Sequence, residues 1–147
     1  MQKDISHKWF FQQSPNEVWD YLTKPELIAE WLMDNDFKPI VGHKFQFKNN
    51  IKKDCENEGI AHCQVLEIIP MKRLSYSWKG GKGNDEITID SVVVWTLSAK
   101  NGGTELRLQH KGFTLLEDFI SHTNGWNTIM KRFTQLLNMS NNGNTNI

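Results

Sequence analysis

Apolar and polar residues alternate over residues 5–11, with Ile5, His7, Trp9 and Phe11 on one face, which predicts a first strand. A helix start follows at once. Ser14 is placed to cap, Pro15 falls where its missing N–H costs nothing, and Glu17 completes a capping box. Val18, Trp19 and Leu22 continue at helical spacing, and Pro25-Glu26 opens a second helix carrying Leu27, Ile28, Trp31 and Leu32. From Gly42 the period becomes two. His43, Phe45 and Phe47 oppose Lys44, Gln46 and Lys48, and polar residues 49–57 predict a hairpin loop. Residues 59–69 form a long strand that Pro70 ends; Leu74, Tyr76 and Trp78 alternate in the next, and 80–84 read as a flexible glycine-rich turn. Val93, Trp95 and Leu97 share one side of a strand over 91–99. Asn101-Gly102-Gly103 supplies a hairpin turn, and Leu106, Leu108 and His110 line the core side of the strand after it.

The last element is a helix. Thr114 and Glu117 make a second capping box, and Phe119, Trp126, Met130, Phe133 and Leu137 form an apolar stripe at helical spacing. Gly125 lies inside the stripe, where a glycine is expected to let the backbone approach a neighbour closely. Residues 140–147 are rich in Asn and Gly and are expected to be a disordered tail, leaving one domain over 1–139. The predicted fold is α+β: a curved antiparallel sheet wrapped around one long C-terminal helix, with two short helices after the first strand.

Composition narrows the function classes. A chain of 147 residues buries roughly 70% of its unfolded surface and needs neither metal nor disulfide to hold it. With 17 basic and 17 acidic residues it has no net charge, and the short runs Lys52-Lys53 and Lys72-Arg73 are offset by nearby acids, which argues against nucleic acid. No apolar run approaches the ~18 residues of a membrane span, and no signal peptide opens the chain, so a cytoplasmic protein without a membrane role is expected. Cys55 and Cys63 are then expected to stay reduced. His62 beside Cys63 does not complete a metal-ligand set, so no metal or cofactor is expected. The Gly80–Asn84 stretch lacks the ending of a phosphate loop. Six Trp and eight Phe remain, enough for a thick core or for a cavity lined by aromatic rings.

Several local patterns occur together and in order: Ser14-Pro15-xx-Val18-Trp19-xx-Leu22-Thr23-x-Pro25-Glu26, Trp31, Val41-Gly42-x-x-Phe45, Val65-Leu-Glu-Ile-Ile-Pro70, Leu74 to Trp78, Gly103-Thr104-Glu105-Leu106 and Gly125-Trp126. The series resembles the START-like (SRPBCC) superfamily with its helix-grip fold, and within it the homologues of the activator of the heat-shock-protein-90 ATPase. The resemblance implies a cavity between sheet and C-terminal helix in which relatives often hold an apolar small molecule. It implies no defined reaction. The eukaryotic activator carries an additional N-terminal domain that makes much of the chaperone contact, whereas this chain is expected to start directly on the helix-grip domain.

Three functions follow as expectations. The first is binding of an apolar, aromatic or lipid-like small molecule, lined by Phe45, Phe47, Tyr76, Trp78, Trp95, Leu108, His110, Trp126, Met130 and Phe133, with His110 and the Tyr76 hydroxyl orienting it. An aromatic stripe at helical spacing is also how a filled core reads, and for each residue alone packing is the commoner role. The second is a protein-interaction or co-chaperone-like module, a homodimer or a partner of a chaperone ATPase, using an exposed patch of Trp31, Leu32, Met33 and Phe37. Those four residues would equally serve to close the cavity mouth. The third is a cyclase or hydratase-like enzyme using His110, with His7, Cys63 and Glu67 behind it. Acid–base chemistry needs such a group inside the cavity, but no GxSxG elbow or Ser-His-Asp set is present.

Overall fold

The computed structural model describes residues 3–48, 59–83 and 86–145, with side chains outside the description at 82, 83, 86 and 140–145. The chain runs β1 (Lys3–Phe11), α1 (Pro15–Thr23), α2 (Pro25–Trp31), β2 (Asp34–Asn35), β3 (Lys44–Lys48), β4 (Ile60–Ile69), β5 (Arg73–Gly83), β6 (Glu86–Lys100), β7 (Gly103–Phe113) and α3 (Leu116–Thr145). The seven strands form one antiparallel sheet in the order β1-β7-β6-β5-β4-β3-β2. The two short helices leave β1 and cross to the far edge, so the sheet curls around α3. This is the helix-grip arrangement.

Register decides which side chains meet. His110 stands opposite Val93, Val93 opposite Tyr76, and Tyr76 opposite Val65, so one row of inward side chains crosses four strands. The neighbouring row joins Leu108, Trp95 and Leu74. Trp126, Met130, Phe133 and Leu137 of α3 close over these rows, and all four are buried. Burying a large side chain of this kind contributes about 1.5–3 kcal/mol, so these rows supply much of the driving force for folding.

At α1 the capping box forms as the sequence predicts, with Ser14 in extended conformation and its side chain accepting from the Glu17 N–H. The Asn101-Gly102 turn also forms, both residues taking positive φ. Three expectations need correction. β5 continues through Gly83 and pairs with β6 (Gly81 opposite Ile87), so 80–83 are strand and not turn; pairing to a neighbour overrides the weak intrinsic preference of glycine. α3 begins at Leu116, past a cap at Thr114, and its first backbone bond runs from Phe119 N–H to Leu115 O. Gly125 approaches nothing: a Cβ built there meets no atom within 4 Å. α3 runs to Thr145. The hairpin loop expected at 49–57 lies outside the described residues.

Two buried polar side chains tie the ends together. Gln13 donates to the Leu137 carbonyl at the C-terminal end of the grip, and Thr104 Oγ1 donates to the Gln13 carbonyl at 2.8 Å. The link between β1 and α1 is thereby fixed to both α3 and β7.

Candidate functional site

All ten predicted lining residues converge on the concave side, and all ten are buried. They are packed against one another. On β3 and β5, Phe45 meets Tyr76 at 5.4 Å between ring centres and Phe47 meets Trp78 at 5.3 Å, with Phe37 closing over Phe45 at 5.1 Å. In the middle, Trp31 stands edge-on to both Trp95 (5.9 Å) and Phe133 (4.8 Å), and Trp126 leans on Trp95 at 5.6 Å. Edge-to-face contacts of this kind add about 0.5–1.5 kcal/mol each beyond burial. The patch expected at Trp31, Leu32 and Phe37 is therefore corrected: all three are buried in this cluster, and Met33 alone remains half-buried at its rim.

A chain of hydrogen bonds runs through the apolar interior near the first half of α3. Trp126 Nε1–H donates to His110 Nδ1 at 2.9 Å, which leaves the His110 proton on Nε2. That Nε2 lies 2.8 Å from Ser91 Oγ, and Ser91 donates its own proton to the Trp78 carbonyl at 2.8 Å. Trp78 Nε1–H then donates to His122 Nε2 at 3.3 Å, and His122 Nδ1 bonds the Asp118 carbonyl at 2.9 Å. Every donor and acceptor in the chain is used, and each histidine is fixed in one neutral tautomer. Burial is the main cause that pulls both imidazole pKa values down, for His110 well below the ordinary value, where repulsion between the two imidazoles, were both protonated, adds to it. His110 is thus buried with both ring nitrogens engaged by neighbouring side chains.

The other acid–base candidates do not join it. Glu67 pairs with Arg73 and stands opposite Ser75 on the outer face, away from α3. Cys63 is a free buried thiol whose pKa is raised by burial and by the Asp36 charge, so it is no thiolate nucleophile; Cys55 lies outside the described residues. His7 sits on the edge strand β1 with its Nε2 buried and unpartnered among the described residues. The Tyr76 hydroxyl, expected to orient a ligand, accepts from Trp95 Nε1–H at 3.0 Å. Among the described residues no three His, Cys, Asp or Glu side chains gather to hold a metal ion, and no helix is long and apolar enough to cross a membrane.

Among the described residues an opening lies at the mouth of the grip. A pocket of about 120 Å³ lies between Met33, Ala61, Trp78, Gly80, Ile89 and His122. Of the ten predicted residues, Trp78 borders it. Larger hollows lie elsewhere on the surface: about 730 Å³ beside the start of α1 and the β4–β5 turn, about 570 Å³ on the outer face of β3 and β4, and about 550 Å³ between β1 and α3. His122 and Ser91 were not singled out in the sequence, although spacing marks both. His122 precedes Trp126 by one helical turn, and Ser91 precedes Val93 and Trp95 on the inward face of β6.

Residues 12–138 match the family described as Activator of Hsp90 ATPase homolog 1-like protein. Among solved structures, protein MLL2253 from Mesorhizobium loti is 33% identical, with 93% of this chain and 98% of that one covered and a TM-score of 0.83. CalU16 from Micromonospora echinospora is 23% identical, covering 92% of this chain and 76% of that one, at a TM-score of 0.75. The Aha1 dimer from Colwellia psychrerythraea is 22% identical, covering 92% and 96%, at 0.73. The last two likenesses are likenesses of fold. No curated protein matches the chain.

Proposed function

The chain belongs to the Activator of Hsp90 ATPase homolog 1-like protein family, and from that premise we propose that it binds a small apolar molecule at the open end of the grip. The observation that carries this is the mouth pocket, with apolar walls from Met33, Ala61 and Ile89 and a polar edge where Trp78 meets His122. Binding sites for small molecules combine a concave apolar wall with a few polar groups of this sort. An apolar cavity of about 150 Å³ holds benzene, so a pocket of about 120 Å³ is on the scale of one ring. A larger ligand needs Trp78 and His122 to part, and their bond of 3.3 Å is the longest link in the internal chain. The chemistry supports recognition rather than turnover, because His110 is enclosed and neutral. A co-chaperone-like role rests on the family description alone.

The test is a titration with phenol and with indole, followed by the NMR signal of the Trp78 indole N–H. A saturable shift is expected, and it should vanish in Gly80→Val. A Cβ at Gly80 makes only ordinary contacts, 3.5 Å from Ile60 O and 3.8 Å from Ile89 Cδ1, and circular dichroism checks that the larger valine leaves the chain folded. Native mass spectrometry of gently purified protein, before and after denaturation, identifies any resident ligand. A shift that survives in Gly80→Val moves the site elsewhere, and no saturable shift ends the proposal.

Self-association is a second reading. It is favoured by the nine-residue edge strand β1, and the Colwellia relative is itself described as a dimer.

A further inference from the structure

The sheet ends in two unlike edges. At one, β2 is only Asp34–Asn35. At the other, β1 presents Lys3–Phe11 with no proline, paired to β7 on its inner side and with no backbone partner on its outer side among the described residues. A long open edge is a ready template for another strand unless side chains forbid it. Here the outward charges have both signs: Asp4 and Lys8 are exposed on the outer face of β1.

Their spacing selects one arrangement. When β1 pairs antiparallel with the β1 of a second copy about a twofold axis, a continuous sheet requires the axis to pass through a residue, because side chains alternate between faces. With the axis at Ser6, Asp4 stands opposite the partner's Lys8 and Lys8 opposite the partner's Asp4. On the inner face Lys3 stands opposite the partner's Trp9, and Ile5 opposite the partner's His7. With the axis at His7, Asp4 faces Phe10 and Lys8 faces Ser6, and both charge pairs are lost. With the axis at Lys8, two lysines collide. The Asp4 carboxylate is already held at the β1–β7 irregularity, where Oδ1 accepts from Gly112 N–H at 3.0 Å, and a carboxylate accepts further bonds. An added strand also needs room on the helix side. The hollow of about 550 Å³ between Trp9 of β1 and Met130 and Lys131 of α3 supplies it where the partner's Lys3 would lie.

We infer that β1 is the interface to a second copy of this chain, paired antiparallel about Ser6 so that Asp4 and Lys8 neutralise each other across the axis. Main-chain bonds supply affinity in such an edge and the side-chain pairs supply register. The inference rests on the self-association reading and adds its surface.

The experiment is sedimentation velocity over a concentration series on the full chain and five variants. Wild type is expected to dimerise. Asp4→Lys and Lys8→Asp should each raise the midpoint concentration at least tenfold, and the double variant should return toward wild type because the pairs are only reversed. Both positions are exposed, and because Asp4→Lys also gives up the bond from Gly112 N–H, circular dichroism checks that each variant keeps the fold. Ser6→Cys should give a disulfide-linked dimer under mild oxidation, because Cα atoms opposite in an antiparallel pair lie about 4.5–5.5 Å apart, within disulfide reach. Phe10→Cys should not. A wild-type chain that stays monomeric overturns self-association and the inference together. A dimer that ignores the charge reversals or fails to cross-link through Ser6→Cys overturns the inference alone.

Discussion

Trp126 and His110 are joined by a hydrogen bond of 2.9 Å in which the indole N–H donates to Nδ1 of the imidazole. An imidazolium has no acceptor nitrogen, so this bond exists only while His110 is neutral. Through Ser91 and Trp78 the same condition reaches His122, and the bonded chain couples the first half of α3 to β5, β6 and β7. His110 therefore fastens the helix to the sheet.

Stability should consequently depend on pH. Both histidines have folded pKa values below the ordinary one, so below about pH 6.5 the unfolded chain takes up protons that the folded chain refuses. Their contribution is fully present above about pH 7. It is lost as pH falls toward the folded values, with a slope of up to about 1.4 kcal/mol per pH unit for each group. Urea midpoints at pH 7.5, 6.5 and 5.5 measure it, in a range above the ordinary carboxylate titrations. His122→Gln should flatten part of the slope. A wild-type chain equally stable at all three pH values would contradict the neutral chain of bonds.

Phe133 packs against Trp31, Tyr21 and Phe11 and is fully buried. Phe133→Ala should cost about 3–5 kcal/mol, read from the urea midpoint, and leave an apolar void in the middle of the grip. Such a void stays dry and takes an apolar guest. Benzene should then raise the thermal midpoint of the variant more than that of wild type, in which only the mouth pocket is on the scale of a ring. An equal effect on both would mean that the native core already contains space for a ring.

Much of the fold could be read from the chain because the physics there is local. Alternation places Phe45 and Phe47, or Leu106 and Leu108, on one face whatever the neighbouring strands do, and Ser14, Pro15 and Glu17 cap a helix using only themselves. Where the outcome depends on a distant partner, the sequence was silent or wrong. Gly80 to Gly83 read as a turn and became strand because β6 pairs alongside. Trp31 and Phe37 read as a surface patch, but they fill the concave side once β2 and β3 bring that segment over the sheet. The site was the least legible part, since rings that line a cavity and rings that fill it obey the same periodicity. In the structure Trp31 stands edge-on to Trp95 and Phe133, and no linear pattern encodes that angle. His122 has the correct helical spacing, but a stripe traced by apolar residues does not register a polar one.

The helix cap at Ser14 gives a smaller, local prediction. Its side chain accepts from Glu17 N–H while Glu17 returns a bond to the Ser14 N–H, and both groups are exposed. Ser14→Ala should cost about 0.5–2 kcal/mol. The loss should appear in the urea midpoint at neutral pH, with the slope against urea unchanged because the surface exposed on unfolding stays the same.

Two glycines should respond in opposite directions to the same substitution. Gly125 lies inside α3 with open space where a Cβ would stand, and its φ is not in the left-handed region. Gly125→Ala should therefore stabilise the chain by about 1 kcal/mol, from the backbone freedom that glycine keeps in the unfolded state. Gly103 begins β7, where a Cβ would collide with the Phe11 carbonyl oxygen and crowd the Phe10 ring at 2.9 Å. The obstacle includes backbone, which cannot swing aside as a flexible side chain can, so Gly103→Ala should destabilise by about 1–3 kcal/mol. Thermal midpoints of the two variants, measured side by side with wild type, decide both. If Gly125→Ala were destabilising, some neighbour would have to press on the helix at that point, and the open space beside α3 would be occupied in solution.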